Sequence, residues 1–418
     1  MMEFSKWKNF LVVFISLEIL AVGVSYVLND GNDFIKQAVA VSGALVGTNS
    51  NNSAPIVSLK LNNPPKIINA IFVTGYSAGS KKYLNYLSNL FATTEINAVV
   101  IDIKGSDGNV TYASGAPDVK KYNLYKGAIK DIDGLLKFLH DKNIYVIGRI
   151  AVFEDPMYSK ARPELAIYNK IETANSSKTV LWYDKNKLSW LDPASKDVWD
   201  YNISLAKDAA SHGFDEINFD YVRFPSDGKV GETGYPVWDG LPAQAGKKLK
   251  ADVIKEFFHY LRTNLPNEKL SVDLFGQTTT NTDDMGIGQL LENAFENFDY
   301  ISPMVYPSHY INGFMGFVNP ADHPYEIIKY SMETALAREK AYLANSIPNA
   351  TGANPSSPGP TQEALILAKF RPWLQDFNMG ANYTADMVRA EIRATQDALG
   401  PNYEGFMLWN PSNIYNSY

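Results

Sequence analysis

Gly213-Phe-Asp-Glu-Ile-Asn-Phe-Asp-Tyr-Val-Arg-Phe-Pro225 decides how this chain is read. The stretch reads as a buried strand, yet it carries Asp215, Glu216, Asp220 and Arg223. Carboxylates are almost never fully buried unless they are paired or used. A strand that ends in an acid, then an Arg, then Phe-Pro delivers charge to the mouth of a pocket. Within it, Asp220 is the strongest functional candidate, Glu216 reads as a deeper structural group and Asp215 as a strand-start residue.

Working outward, seven further apolar stretches read as strands. The full set is Ala70–Thr74, Asn97–Ile103, Tyr145–Phe153, Glu216–Phe224, Leu270–Phe275, Tyr300–Tyr306, Trp373–Met379 and Gly405–Trp409. Between them lie amphipathic segments at Lys81–Ala92, Ala128–Lys142, Lys196–His212, Ala245–Asn264, Ile287–Asn297, Tyr325–Ala341 and Ala385–Leu399. In the second of these, Ile129, Ile132, Leu135, Leu136 and Leu139 share one face and Lys130, Asp131, Lys137 and Asp141 the other. Long strand–helix alternation means parallel strands with helical crossovers. Eight such units fit a closed (β/α)8 TIM barrel of the α/β class, with an open doubly wound sheet as the alternative. Two insertions stand out. Ala344–Gln362 reads as a mobile loop, and Ser226–Ala243, after the fourth strand, could cover a pocket at the barrel rim.

The N-terminal part reads differently. Phe10–Leu28 is apolar except for Ser16, Glu18 and Ser25, and Lys6 and Lys8 precede it. Its length suits a membrane-spanning helix, and the flanking positive charge predicts the bulk of the chain outside. A carboxylate at Glu18 is costly at that depth. Ala38-Val39-Ala40 offers the alternative of a cleaved signal, which would leave the protein secreted. Ser42–Lys66 is rich in Ser, Asn, Gly and Pro. The expected organisation is a membrane anchor or signal segment over residues 1–30, a flexible linker over 31–66 and one catalytic domain over 67–418.

Composition narrows the chemistry. The chain of 418 residues is 45% hydrophobic and 20% charged, with a formal net charge of −7. That balance speaks against a nucleic-acid partner. Aromatic residues make up 13%, and their faces suit sugar rings when they reach a site. Cysteine is absent, which removes disulfides, thiol catalysis and Cys-held zinc or iron–sulfur clusters. The five histidines show no metal-binding spacing, and neither a P-loop nor a GxGxxG motif occurs. No cofactor and no metal is assigned, although an all-oxygen Ca²⁺ or Mg²⁺ site stays compatible with the acids present.

In a (β/α)8 barrel the C-terminal ends of the strands surround the site. Those ends offer Asp102 and Lys104 from the second strand, Arg149 from the third, and Asp220 and Arg223 from the fourth. The fifth gives Asp273, followed by Gln277, and the sixth Tyr306 and His309. The seventh gives Gln375 and Asp376 and the eighth Trp409. Several acids and few histidines suit acetal hydrolysis, in which one carboxyl group protonates the leaving oxygen and a second attacks or stabilises the cation-like carbon. Crowding the two raises the pKa of one. On this reading Asp220 and Asp273 are catalytic, with Asp102 in reserve. Lys104, Arg149, Arg223, Tyr306, His309, Gln375, Asp376 and Trp409 are substrate-binding candidates. One motif competes: Gly75-Tyr-Ser-Ala-Gly79 matches the G-x-S-x-G nucleophile elbow and would make Ser77 the nucleophile of a serine esterase. Against it, only a linker and a membrane segment precede the elbow strand Ala70–Thr74, where other strands would supply part of the oxyanion hole, so a glycine-rich first loop approaching substrate is the preferred reading.

Several stretches together carry a family resemblance. They are Phe72-Val-Thr-Gly-Tyr-Ser-Ala-Gly79, Val99-Val-Ile-Asp-Ile-Lys-Gly105, Trp190-Leu-Asp-Pro193, the stretch quoted first, Ser302-Pro-Met-Val-Tyr-Pro307 and Pro372-Trp-Leu-Gln-Asp-Phe377. From Asn69 to Pro411 the chain resembles an uncharacterised TIM-barrel family of glycoside hydrolases, distantly similar to the α-amylase-like glycosidases. The resemblance implies a (β/α)8 barrel acting on a glycan and matches Asp220 to the strand-four catalytic carboxylate. Two departures stand out. The amylase-like Arg lies two residues before that Asp, whereas Arg223 follows Asp220, and Asp273 stands where those enzymes have Glu. The expected activity is hydrolysis of a cell-envelope or extracellular polysaccharide. The alternatives are a glycan-binding barrel without catalysis and the esterase.

Overall fold

The computed structural model describes residues 59–241, 248–346 and 367–415. Eight parallel strands carry the fold: β1 (Ile68–Val73), β2 (Ala98–Lys104), β3 (Tyr145–Ala151), β4 (Glu216–Asp220), β5 (Leu270–Phe275), β6 (Tyr300–Met304), β7 (Trp373–Gln375) and β8 (Gly405–Trp409). Each pairs with the next along the chain, and β8 returns to β1, so the sheet closes into the expected barrel. The thinnest seam joins β6 to β7 through Trp373 opposite Met304. There the short strand Lys369–Phe370 adds pairing to Tyr300–Ile301.

Strand side chains alternate between the two faces. Outward, Val99, Ile101, Ile103, Ile217, Phe219, Leu270, Val272 and Leu274 join the apolar layer beneath the helices. Inward, Ile68, Ala70, Phe72, Ala98, Val100, Ile147 and Met407 fill the barrel. On β4, β5 and β6 the inward phase turns polar, with Glu216, Asn218, Asp220, Ser271, Asp273 and Ser302 all buried. The stretch that looked anomalous as sequence is therefore an ordinary strand whose outer face is apolar and whose inner face is polar.

Six long helices cover the barrel: α1 (Lys81–Thr93), α2 (Ile132–His140), α3 (Lys196–His212), α4 (Lys250–Asn264), α5 (Pro324–Ser346) and α6 (Ala385–Leu399). Three expected elements have different bounds. The segment Ile287–Asn297 forms only the 3-10 turn Leu291–Asn293, because Gly286 and Gly288 adopt φ of +70° and +87° and break a helix at its start. The second helix begins at Ile132, since the Asp131 side chain caps it by accepting from Gly134 N, while Ile129 N is spent on Thr111 O. The fourth strand stops at Asp220, where Tyr221 turns the chain with φ +53°.

At the strand-start end, Glu216 pairs with Arg371 and accepts from the Tyr145 hydroxyl at 3.2 Å, and Arg371 stacks 4.1 Å over Tyr300. Asp215 accepts from Leu61 N and Val146 N, both at 2.7 Å. The end of the expected linker is thus tied to the barrel floor. Segment 226–241 lies to one side. Its strand Thr233–Gly234 pairs with Tyr168–Asn169, and Tyr235 and Trp238 pack on Phe224. None of its described residues lines the cleft, so these do not form the expected cover. The expected loop Ala344–Gln362 is helical as far as Ser346. The rest of that loop, the Phe10–Leu28 anchor and the linker before residue 59 lie outside the described residues. Among the described residues no helix is long and apolar enough to cross a membrane.

Candidate active site

At the C-terminal ends of the strands the barrel opens into a cleft with about 550 Å³ of empty space, part of it open to solvent. Its walls come from six strands and the loops after them. Arg149 comes from β3, Asp220, Tyr221 and Arg223 from β4 and its loop, and Asp273 and Phe275 from β5. The rest are Met304, Tyr306 and His309 from β6 and its loop, Trp373 and Phe377 from β7 and its loop, and Trp409 from β8.

Arg149 is the electrostatic hub. The register sets Asp102 beside Arg149 and Arg149 beside Asn218, two residues below Asp220 on the same face. Its Nη1 donates to Asp102 Oδ1 at 2.7 Å, while Nε and Nη2 donate to Asp220 Oδ2 at 3.0 and 2.6 Å. The other Asp220 oxygen, Oδ1, accepts from Tyr221 N at 2.6 Å. Tyr221 holds its left-handed backbone while making that bond, a conformation that costs a non-glycine residue about 1–3 kcal/mol. The Arg149 guanidinium lies 5.3 Å from the Trp409 ring and 5.5 Å from Phe72, which stack on each other with centroids 4.1 Å apart.

Asp273 is the second acid of the cleft. It is 1% exposed and accepts from Asn218 Nδ2 at 2.8 Å through Oδ1, while Oδ2 is buried without a hydrogen bond of good geometry. Burial pushes its carboxyl well above the usual range, and the negative charge of Asp220 pushes it further. Asn218, Arg149 and the Trp373 indole oppose that rise only in part. Asp273 is therefore a proton donor in waiting, next to a carboxylate already engaged by an arginine.

The aromatic wall is neutral. Burial pushes the His309 imidazole down to about 3, so it faces the cleft uncharged, packed beside Tyr306 and Phe377. Gln277 positions it by donating to His309 O at 2.8 Å. Burial raises the Tyr306 phenol well above its ordinary value.

Of the sequence candidates, the structure brings Asp220, Asp273, Arg149, Arg223, Tyr306, His309 and Trp409 together around the cleft. Four others stand elsewhere. Asp102 sits behind Arg149 and does not line the cleft. Lys104 is turned away by a register slip between Asp102 and Lys104, which pairs it with the outward-facing Ile150. Its Nζ donates to buried Asp155 at 2.7 Å under the Tyr201 ring. Gln375 spends its amide on Ser308 N and Phe377 O, tying the β7 end to the loop after β6. Asp376 accepts from Asn410 Nδ2 at 3.4 Å, away from the cleft.

Tyr221, Phe275, Met304, Trp373, Phe377 and the supporting Asn218 were missed. The signal for Asn218 was present, since it lies two residues before Asp220 and so shares its face. At the G-x-S-x-G motif, Ser77 Oγ accepts from Thr74 Oγ1 at 3.1 Å, and among the described residues no histidine hydrogen-bonds to it. Its glycines answer to packing rather than to substrate. A Cβ on Gly75 would meet Thr111 Cγ2 at 2.5 Å, and one on Gly79 would meet Ala128 O at 2.0 Å. Among the described residues no group of three or more His, Asp or Glu is arranged to hold a metal ion.

Comparison with known proteins adds three findings. Residues 70–415 match the family described as "Putative glycosyl hydrolase domain". No curated protein sequence matches the chain. Among solved structures, a hypothetical protein from Ruminiclostridium thermocellum ATCC 27405 is 40% identical over 49% of this chain and 96% of its own, with a TM-score of 0.42. The PgaB (BpsB) glycoside hydrolase domain from Bordetella bronchiseptica is 14% identical, covers 83% of this chain and 94% of its own, and has a TM-score of 0.52. At that identity the second likeness shows the barrel fold alone.

Proposed function

Since the chain belongs to this family of glycosyl hydrolase domains, we propose that its cleft hydrolyses glycosidic bonds with Asp273 as general acid and Asp220 as nucleophile. The observation that carries the reading is a pair of acids in contrasting environments. Asp273 has its carboxyl raised by burial and by Asp220, while Asp220 accepts two guanidinium donors from Arg149. A carboxyl that keeps its proton, beside a second acid held by an arginine, is what a general acid and its partner require.

The chemistry follows. Asp273 gives its proton to the glycosidic oxygen as the bond from that oxygen to the anomeric carbon breaks. Asp220 attacks the same carbon and forms a glycosyl ester. Water, deprotonated by the Asp273 carboxylate, then releases the sugar and restores both groups. The β4–β5 register pairs Ile217 with Leu270, Asn218 with Ser271 and Phe219 with Val272, so its next step sets Asp220 beside Asp273. Neighbouring strands lie about 4.8 Å apart, which favours the roughly 5–5.5 Å carboxyl separation of retaining enzymes. Proton NMR of the first-formed sugar tests this. Retention of anomeric configuration supports it, and inversion removes the covalent step.

The substrate belongs to the same proposal: a polysaccharide of the cell envelope or surroundings. The apolar run Phe10–Leu28 behind Lys6 and Lys8 supports a catalytic domain over 67–418 held outside the cell membrane. Alkaline extraction of membranes tests it, since a spanning anchor stays in the pellet.

A further inference from the structure

We infer that the substrate carries an anionic substituent, a ring carboxylate or a sulfate ester, which docks on Arg223; the inference rests on the glycosidase reading of the cleft. Among the described residues four Lys or Arg side chains are buried: Lys104, Arg149, Arg223 and Arg371. Three have a carboxylate in contact. Lys104 has Asp155, Arg149 has Asp102 and Asp220, and Arg371 has Glu216. Arg223 has none among the described residues, and it is the one of the four, besides Arg149, that lines the cleft.

Its surroundings fix it without neutralising it. The guanidinium carbon lies 4.7 Å from the Trp190 ring centroid, 4.8 Å from Phe275 and 5.2 Å from Tyr221. Its hydrogen bonds to protein leave from one nitrogen, Nη1, to Phe224 O at 3.3 Å and Ser226 Oγ at 3.1 Å. Nε and Nη2 donate to no protein group among the described residues. Asp184 and Asp227 feel its charge, but neither makes an ion pair with it or lines the cleft.

Burying a charge without a partner is costly, and a ligand that supplies the partner recovers that cost. Adjacent N–H donors on a rigid plane match the paired oxygens of a carboxylate or sulfate. A neutral hydroxyl offers a single oxygen to that fork and no charge to offset the guanidinium. The Tyr221 ring is near both cations, 6.0 Å from Arg149 and 5.2 Å from Arg223, so the Asp220–Arg149 pair and Arg223 share one wall. A sugar whose anion sits at Arg223 can place the carbon that gains positive charge toward Asp220.

The test is calorimetric binding of the full chain to oligogalacturonides, their methyl esters, carrageenan-derived oligosaccharides (sulfate esters without carboxylates), and neutral malto- and cello-oligosaccharides of equal length. One acidic set is expected to bind at least about tenfold tighter than every neutral one, and the carboxylate and sulfate arms identify the group. Methyl esterification, or Arg223→Gln, is expected to erase that preference, with Arg223→Lys between. Equal or tighter binding of the neutral sugars by the unaltered chain overturns the inference and requires no variant to fold. So does an acidic preference that survives Arg223→Gln. Hydrolysis of a neutral glycan alone defeats this inference and leaves the glycosidase reading standing. A chain that binds and cleaves none of the probes defeats both.

Discussion

Arg149 reaches Asp220 with two donors, Nε at 3.0 Å and Nη2 at 2.6 Å, both on the same oxygen, while its third nitrogen holds Asp102 at 2.7 Å. One guanidinium therefore serves two carboxylates that are each nearly buried. Removing it by Arg149→Met leaves both acids crowded without a cation, and breaking a buried pair costs about 3–5 kcal/mol. Urea denaturation of this variant is expected to show a loss of that size. Adding Asp102→Asn to the same variant is expected to restore part of it, because one of the stranded charges is then gone.

Asp273→Asn tests the acid. A general acid contributes about 10²–10⁴-fold to rate, and its value depends on how badly the leaving group needs a proton. The variant is expected to lose about that much on an unactivated disaccharide and far less on an aryl glycoside with an acidic phenol. Equal losses on both substrates would assign the proton to another group.

The same carboxyl sets a pH dependence. Its folded pKa lies above the unfolded value, so the folded state holds the proton more tightly. The stability it contributes is complete below the unfolded value of about 3.9 and is lost as pH rises through the raised one. The wild-type melting temperature is expected to fall across that window more than that of Asp273→Asn. The alkaline limb of kcat/KM is expected to belong to the same group and to vanish in the variant.

Ser77→Ala is expected to change turnover by less than about twofold, because Ser77 has Thr74 as its hydroxyl partner and, among the described residues, no histidine hydrogen-bonded to it. Gly79→Ala, by contrast, is expected to destabilise the fold, since its Cβ would lie 2.0 Å from Ala128 O. Loss of ester cleavage in Ser77→Ala would revive the elbow.

Strand–helix alternation and the acids at strand ends carry local information, and both were readable from sequence. The barrel and the meeting of Asp220 with Asp273 follow from them. Arg149 as the partner of Asp220 was less visible than Arg223, because the pairing crosses from β3 to β4 and depends on register. Lys104 misled for a similar reason. Regular alternation after Asp102 predicts an inward side chain, but one slipped pair moves it to the outer face against Asp155. The missing helix over Ile287–Asn297 shows periodicity overruled by backbone, since Ile287, Leu291, Ala294 and Phe295 are buried as a helical face would be, with no long helix formed. Phe377 and Met304 could not be picked from sequence, because any aromatic or Met near a strand end is equally good core.

The central claim is that Asp220 is the group that attacks the sugar, and replacing it with glycine in the presence of azide tests it most directly. Asp220→Gly is expected to lose at least about 10⁴-fold in turnover of an aryl glycoside, in line with loss of a covalent catalyst. Azide is expected to restore part of that rate, with a glycosyl azide of inverted configuration as product. Turnover that survives in Asp220→Gly without azide would contradict the account.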